Sequence, residues 1–201
     1  MLKKLLGALL VVVIVLVGGA YLLPREVHVQ RSTVIDRPAA AVFPLVNSLH
    51  RFNEWSPWRQ LDPNVKITFS GPDSGVGSTM AWTGNSKVGR GTQVITESVP
   101  DQRVSSDIDF GDMGGGKAAW AVTAEGPATE VVWSLDVDLG NNPIGRYMGL
   151  FMDKTVGPDY ERGLKSLKTL AEAAPAPDGA SAGDAAQPVS EPTTPPNAAT
   201  S

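Results

Sequence analysis

The sequence predicts an α+β fold: a curved, seven-stranded antiparallel sheet wrapped around one long C-terminal helix, preceded by a transmembrane helix. Three observations carry that expectation. Between Val65 and Leu139 apolar residues recur with a two-residue period, in runs divided by turn residues, as half-buried antiparallel strands require. Beyond Pro158 the period lengthens: Tyr160, Leu164, Leu167 and Ala171 stand at helical spacing, so a helix with one apolar stripe must lie against that sheet. Ahead of both, Leu5 to Leu23 is an uncharged run of about 19 residues, which at about 1.5 Å each nearly spans the roughly 30 Å bilayer core.

Residues 1–25 therefore read as an N-terminal membrane anchor, 26–173 as the folded domain and 174–201 as a disordered tail rich in Pro, Ala and Ser. Lys3 and Lys4 favour a cytoplasmic N-terminus, which places the domain of this single-pass chain on the extracytoplasmic (periplasmic) side; Arg25 and Arg31 on the other flank reduce that asymmetry. A secreted domain released by signal cleavage is the alternative, since Gly18 and Ala20 are small residues late in the run. Tyr21-Leu22-Leu23 prolongs the apolar stretch past them. From Ala174 onward there is one aliphatic residue larger than Ala and no aromatic, too little apolar surface to offset backbone ordering entropy.

Within the domain, Val27 to Ile35 alternates and forms the first strand. Asp36-Arg37-Pro38 opens a helix through Asn47, with Asp36 or Arg37 at the cap and Pro38 in the first turn, where its missing N–H is no loss. Phe52 to Trp58 is a second short helix or a loop. Six strands follow, at Lys66 to Ser70, Gly77 to Thr83, Gly91 to Val99, Val104 to Phe110, Lys117 to Ala124 and Glu130 to Leu139. Gly, Pro, Asn and Asp separate them, as in Gly71-Pro72-Asp73-Ser74-Gly75 and Glu125-Gly126-Pro127. Pro158 then stands in the first turn of the closing helix.

Composition removes several function classes. The formal net charge is -4, with lysines and arginines scattered, so the chain lacks the basic footprint of a nucleic-acid binder. With no cysteine there is no disulfide, thiol nucleophile, cysteine metal site or lipidated cysteine. His28 and His50 have no second ligand at i+3 or i+4, so no zinc site is expected. Gly111-Asp112-Met113-Gly114-Gly115-Gly116-Lys117-Ala118 falls one residue short of a phosphate-binding loop: Ala118 offers no hydroxyl for Mg²⁺, and the following Ala119 to Thr123 is strand-like. Asp107 and Asp109, and Asp136 and Asp138, lie on strand faces opposite the apolar ones and should point to water. Neither a G-x-S-x-G elbow nor a Ser-His-Asp order occurs, and no catalytic residue and no cofactor is assigned.

Five segments occur in a telling order: Trp55-Ser56-Pro57-Trp58; Gly75-Val76-Gly77-Ser78; Trp82-Thr83-Gly84-Asn85 with Gly89-Arg90-Gly91; Thr129-Glu130-Val131-Val132-Trp133; and Met148 to Lys168. In this order the chain, over about Val27 to Glu172, resembles the helix-grip fold of the START-like, Bet v 1-like (SRPBCC) superfamily, in particular the bacterial polyketide cyclase/dehydrase and lipid-transport family. The resemblance implies a hydrophobic pocket and no shared catalytic machinery. Cyclases, lipid carriers and stress-response binding proteins share this frame, so it does not settle function.

Strand parity turns one set of side chains inward: Met80 and Trp82, Gln93 and Ile95, Ser106, Ile108 and Phe110, Trp120, Trp133 and Leu135, facing Tyr160 and Leu164 of the closing helix. These are the expected cavity lining, with Gln93 and Ser106 as the polar groups that must meet water, backbone or a ligand. The expected function is a membrane-tethered module that binds a small hydrophobic or lipid-like molecule. A cyclase or dehydratase-type enzyme in the same cavity is an alternative, with Glu97 the best candidate acid or base if its strand keeps parity, although its place near the strand end favours exposure. A non-catalytic adaptor, contacting a partner or membrane through Trp55 and Trp58, is another.

Overall fold

In the computed structural model of this chain the described residues are 2–111 and 114–173; the expected tail and the middle of the Gly111–Ala118 turn lie outside them. The apolar N-terminal run is helix α1 (Leu2–Ala20), exposed along nearly its whole length. Strand β1 (Glu26–Ile35) leads into three short helices, α2 (Ala39–Val46), α3 (Leu49–Trp55) and α4 (Trp58–Leu61). Six strands follow: β2 (Lys66–Ser70), β3 (Thr79–Thr83), β4 (Arg90–Val99), β5 (Arg103–Asp109), β6 (Gly115–Glu125) and β7 (Ala128–Asp138). Two helices close the chain, α5 (Pro143–Gly149) and α6 (Met152–Ala173).

All seven strands form one antiparallel sheet in the order β1-β7-β6-β5-β4-β3-β2. At about 4.8 Å between strands, a flat sheet would hold β2 and β7 about 24 Å apart. Ile67 of β2 and Leu135 of β7 nevertheless line one cavity of about 190 Å³, so the sheet is strongly curved, with α6 in its concavity. The inward faces meet in a core that includes Ile95, Val104, Trp120, Val131, Trp133, Tyr160, Leu164 and Leu167. Trp133 is its hub: it stacks on Tyr160 with ring centroids 3.8 Å apart and meets Phe52, Trp55 and Trp58 edge-on.

Several local expectations are corrected. The α6 helix begins at Met152, so Pro158 is internal rather than in the first turn. An internal proline costs about 3 kcal/mol; Met152 and Val156, on the same stripe as Tyr160, pack against the core and offset it. The neighbouring Gly157 lies over Arg31 of β1, where an added Cβ would sit 2.1 Å from the guanidinium. Helix α2 starts one residue later than expected, at Ala39, with Pro38 at its cap. Asp36 and Arg37 are drawn into other bonds: the Asp36 N–H donates to Glu172 at 2.9 Å and the Arg37 N–H to the Ile35 carbonyl at 2.8 Å. Strand β3 begins at Thr79 because Gly77, at φ 89, cannot continue an extended strand. The segment Pro143–Gly149, given no helix by its pattern, forms α5, capped by Asn142, whose side chain accepts from the amides of Ile144 and Gly145.

Candidate functional site

The strand register sorts the inward residues into two halves. Glu26 pairs with Asp138, Gly115 with Asp109, Asp109 with Thr92, and Thr83 with both Arg90 and Lys66, so these residues mark one end of the sheet. Helix α1 joins at that end, immediately before β1. The cavity lies there too. Its wall uses Ile67, Trp82, Met80, Gln93, Ile108, Phe110 and Leu135, all within a few residues of the marked end, together with Val156 and Tyr160 of α6.

Seven of the twelve expected lining residues are thus brought together on the cavity: Met80, Trp82, Gln93, Ile108, Phe110, Leu135 and Tyr160. Ile95, Ser106, Trp120, Trp133 and Leu164 share the inward face but sit farther along their elements, in packed core rather than on the cavity wall. Parity places a side chain on a face; it is silent about how far along the strand the packing closes. The rest of the wall comes from the short helices and connections: Phe52, Asn53, Ser56, Trp58, Arg59, Val65 and Val88. Ile67 and Val156 carried a readable signal, Ile67 through its alternation with Phe69 and Val156 through its place one turn before Tyr160. Arg59, Asn53 and Val88 carried none.

Glycines shape the wall. Trp82 lies across Gly91 of the adjacent strand, where an added Cβ would be 2.4 Å from the indole ring. The rim is tied by Asp62, whose carboxylate accepts from the Asn64 and Asn85 amides at 3.0 and 2.7 Å, while the Trp82 indole N–H donates to the Val88 carbonyl at 3.3 Å.

Few polar groups enter the cavity. The Gln93 amide is buried and donates to Ser106 Oγ at 2.8 Å, so these two satisfy one another, with Gln93 also on the cavity wall. The Tyr160 hydroxyl makes no hydrogen bond among the described residues, and burial raises its pKa well above the ordinary phenol range. It therefore remains protonated, a donor and a poor base. Among the described residues, Arg59 on the exposed rim is the other ionisable group of the wall.

The remaining candidates for chemistry are accounted for elsewhere. A bulge between Ile95 and Glu97 reverses parity, so Glu97 does not follow Gln93 and Ile95 inward; it accepts from Ser105 Oγ at 2.8 Å and pairs with Arg103. His28 pairs with Asp136 at 2.6 Å, Arg25 with Asp138 at 2.6 Å and Lys117 with Asp107 at 3.5 Å, all on the outer face. His50 stacks on Phe69 with centroids 3.8 Å apart. Among the described residues no cluster of His, Asp and Glu could hold a metal ion. The chain is already in β6 from Gly115, within the Gly111–Ala118 motif, leaving no helix N-terminus for a phosphate. Trp55 is buried, its indole N–H donating to the Leu45 carbonyl at 3.1 Å, and Trp58 faces the cavity, so the pair packs inward rather than offering an adaptor surface.

Known proteins place this architecture. A solved structure from Thermobifida fusca matches with a TM-score of 0.57 at 18% identity, over 72% of this chain and 92% of that one. A norcoclaurine synthase of Thalictrum flavum, bound to a transition-state analogue, matches with a TM-score of 0.57 at 13% identity, over 73% and 94%. The di-domain ARO/CYC protein BexL, from the BE-7585A biosynthetic pathway, matches with a TM-score of 0.56 at 19% identity, over 75% of this chain and 52% of that one. At these identities the likeness concerns the fold. Comparison with curated proteins finds no match. The family model described as polyketide cyclase/dehydrase and lipid transport matches residues 26–172, from the first strand to the end of the closing helix, and the chain belongs to that family.

Proposed function

We propose that this protein is a membrane-tethered binding module that takes a small hydrophobic or lipid-like molecule into the cavity between the sheet and α6. The observation that carries the reading is the cavity itself: about 190 Å³, walled chiefly by aromatic and aliphatic side chains, at the sheet end where α1 joins. An apolar cavity of about 150 Å³ admits benzene, so this one suits a single ring or a short stretch of acyl chain.

Magnitudes favour a ligand supplied by a membrane. A guest burying about 200 Å² of apolar surface gains about 5 kcal/mol before the cost of association, so its dissociation constant is no tighter than roughly 0.2 mM. Such weak capture works where the ligand is concentrated, as at a bilayer. Helix α1 has the length and composition of a membrane span, features that a signal sequence shares. Retention of α1 is supported by its contacts: Ala20 is fully buried, and Arg146 donates to the Tyr21 and Leu23 carbonyls just beyond the helix. Lys3 and Lys4 support a cytoplasmic N-terminus with the domain outside. A wall whose only ionisable groups among the described residues are Arg59 and a protonated Tyr160 favours holding a ligand over turning it over.

Native mass spectrometry of the full-length chain, kept in detergent micelles with a single-chain lipid added to millimolar concentration, tests the reading. A one-to-one adduct of low mass is expected, and Ile108→Trp, which fills the cavity, should lose it while remaining folded. An adduct-free wild type, or an adduct equally present in Ile108→Trp, would overturn the proposal.

A further inference from the structure

Helix α5 is amphipathic the wrong way round for a soluble surface. Arg146 and Gly149 face inward, Gly149 so closely that an added Cβ would lie 2.6 Å from Leu139. Ile144 and Met148, one turn apart, are 70% and 65% exposed, and Leu150 and Phe151 in the turn to α6 continue the patch. Tyr21 and Leu22, at the end of α1, are exposed apolar side chains too, and the Arg146 guanidinium sits 5.1 Å over the Tyr21 ring. A contiguous group of large exposed apolar side chains marks an interaction surface.

The contact with α1 says what covers it. The Tyr147 hydroxyl donates to the Leu16 carbonyl at 2.9 Å. Leu16 lies four residues inside the helix end at Ala20, about 6 Å along its axis at 1.5 Å per residue. If α1 crosses a bilayer, α5 is therefore held at the depth of the headgroup and acyl boundary, where tyrosines such as Tyr21 and Tyr147 concentrate.

We infer that α5 and the α5–α6 turn form an interfacial foot, in which Ile144, Met148 and Phe151 enter the same bilayer that α1 spans and hold the cavity end of the domain against it. The inference rests on reading α1 as a membrane span. It deepens the proposed function by giving the ligand a short path: the foot, α1 and the cavity share one end of the sheet.

The absence of cysteine allows single labels in the full-length chain. Val12→Cys in α1, Met148→Cys in α5 and Gln102→Cys at the opposite end of the sheet would each carry an environment-sensitive fluorophore, in phosphatidylcholine vesicles with brominated acyl chains. Labels at 12 and 148 should be quenched several-fold more than the label at 102. Quenching at 12 with none at 148 overturns the foot and leaves the span intact. No quenching at 12 overturns the membrane reading and the foot with it. A label at 148 that is shielded from a water-soluble quencher yet untouched by brominated lipid also overturns the foot, because a second copy or another protein then covers the patch.

Discussion

Gly163 shows how one missing methyl group positions the closing helix. Its Cβ would fall 2.7 Å from the Trp133 ring and 3.1 Å from Pro57, two groups locked in the core. Gly163→Ala gains about 1 kcal/mol of helix propensity but overpacks a rigid site at a cost of about 1–3 kcal/mol. The overpacking should prevail by up to about 2 kcal/mol, read as a lower urea midpoint. Charge acts at the opposite margin. Hydrogen bonds from Arg25, then from the Gly140 amide, pull the Asp138 carboxyl down to about pH 2. A depressed folded-state pKa stabilises the fold above the ordinary carboxyl range and ceases to do so as pH falls through that depressed value. Asp138→Asn should therefore lower the urea midpoint at pH 7, with the difference closing as pH falls through about 2, and 1 M salt should shrink the pH 7 difference because the pair is exposed. A gap that persists in acid would show that Asn acts through packing instead.

At the scale of elements, the join between α1 and the domain depends on Arg146. Buried to 8% exposure, it donates to the Gly140 carbonyl at 3.1 and 2.9 Å and to the Tyr21 and Leu23 carbonyls at 3.3 and 3.4 Å. Arg146→Ala removes these bonds, a local loss of about 1–3 kcal/mol per unsatisfied buried group. Trypsin should then cut after Arg25 faster than in wild type, while the sheet melts at nearly the same temperature; unchanged cleavage would show that α1 is held by its packing alone. Sequence patterning did not foresee this join, because Arg146 reads as an ordinary surface cation and Pro143–Gly149 is too short for a helical period to emerge. The six strands after the short helices were readable because alternation repeats several times in each, and their turns carry residues suited to nothing else. An inward Glu97 would require unbroken parity, and one added residue breaks it: a bulge reverses every side chain beyond it, and alternating composition contains no mark of where that happens.

For the whole molecule, curvature is the property that converts a sheet into a container. It brings Ile67 at one edge strand to the same cavity as Leu135 beside the other, and it gathers Phe52, Trp55, Trp58, Trp120, Trp133 and Tyr160 into one aromatic cluster. Two scales of stability follow from that division, a dense core toward the Ile35 end and open space toward the Glu26 end. Filling the space by Ile108→Trp should consequently leave the fold intact, whereas truncating Trp133 to Ala should cost about 3–5 kcal/mol, measurable by denaturant unfolding. The sequence by itself determined the order of the seven strands, the antiparallel sheet, the apolar N-terminal helix, the long closing helix and, short of the bulge in β4, the face each strand turns inward, because these depend on periodicity and turn chemistry within short windows. Only the tertiary structure decided where along those faces the packing stops and a cavity begins, which end of the sheet α1 meets, and that α5 exposes its apolar side. Those outcomes arise from contacts between residues more than a hundred positions apart, such as Tyr147 with Leu16, and no local pattern encodes them.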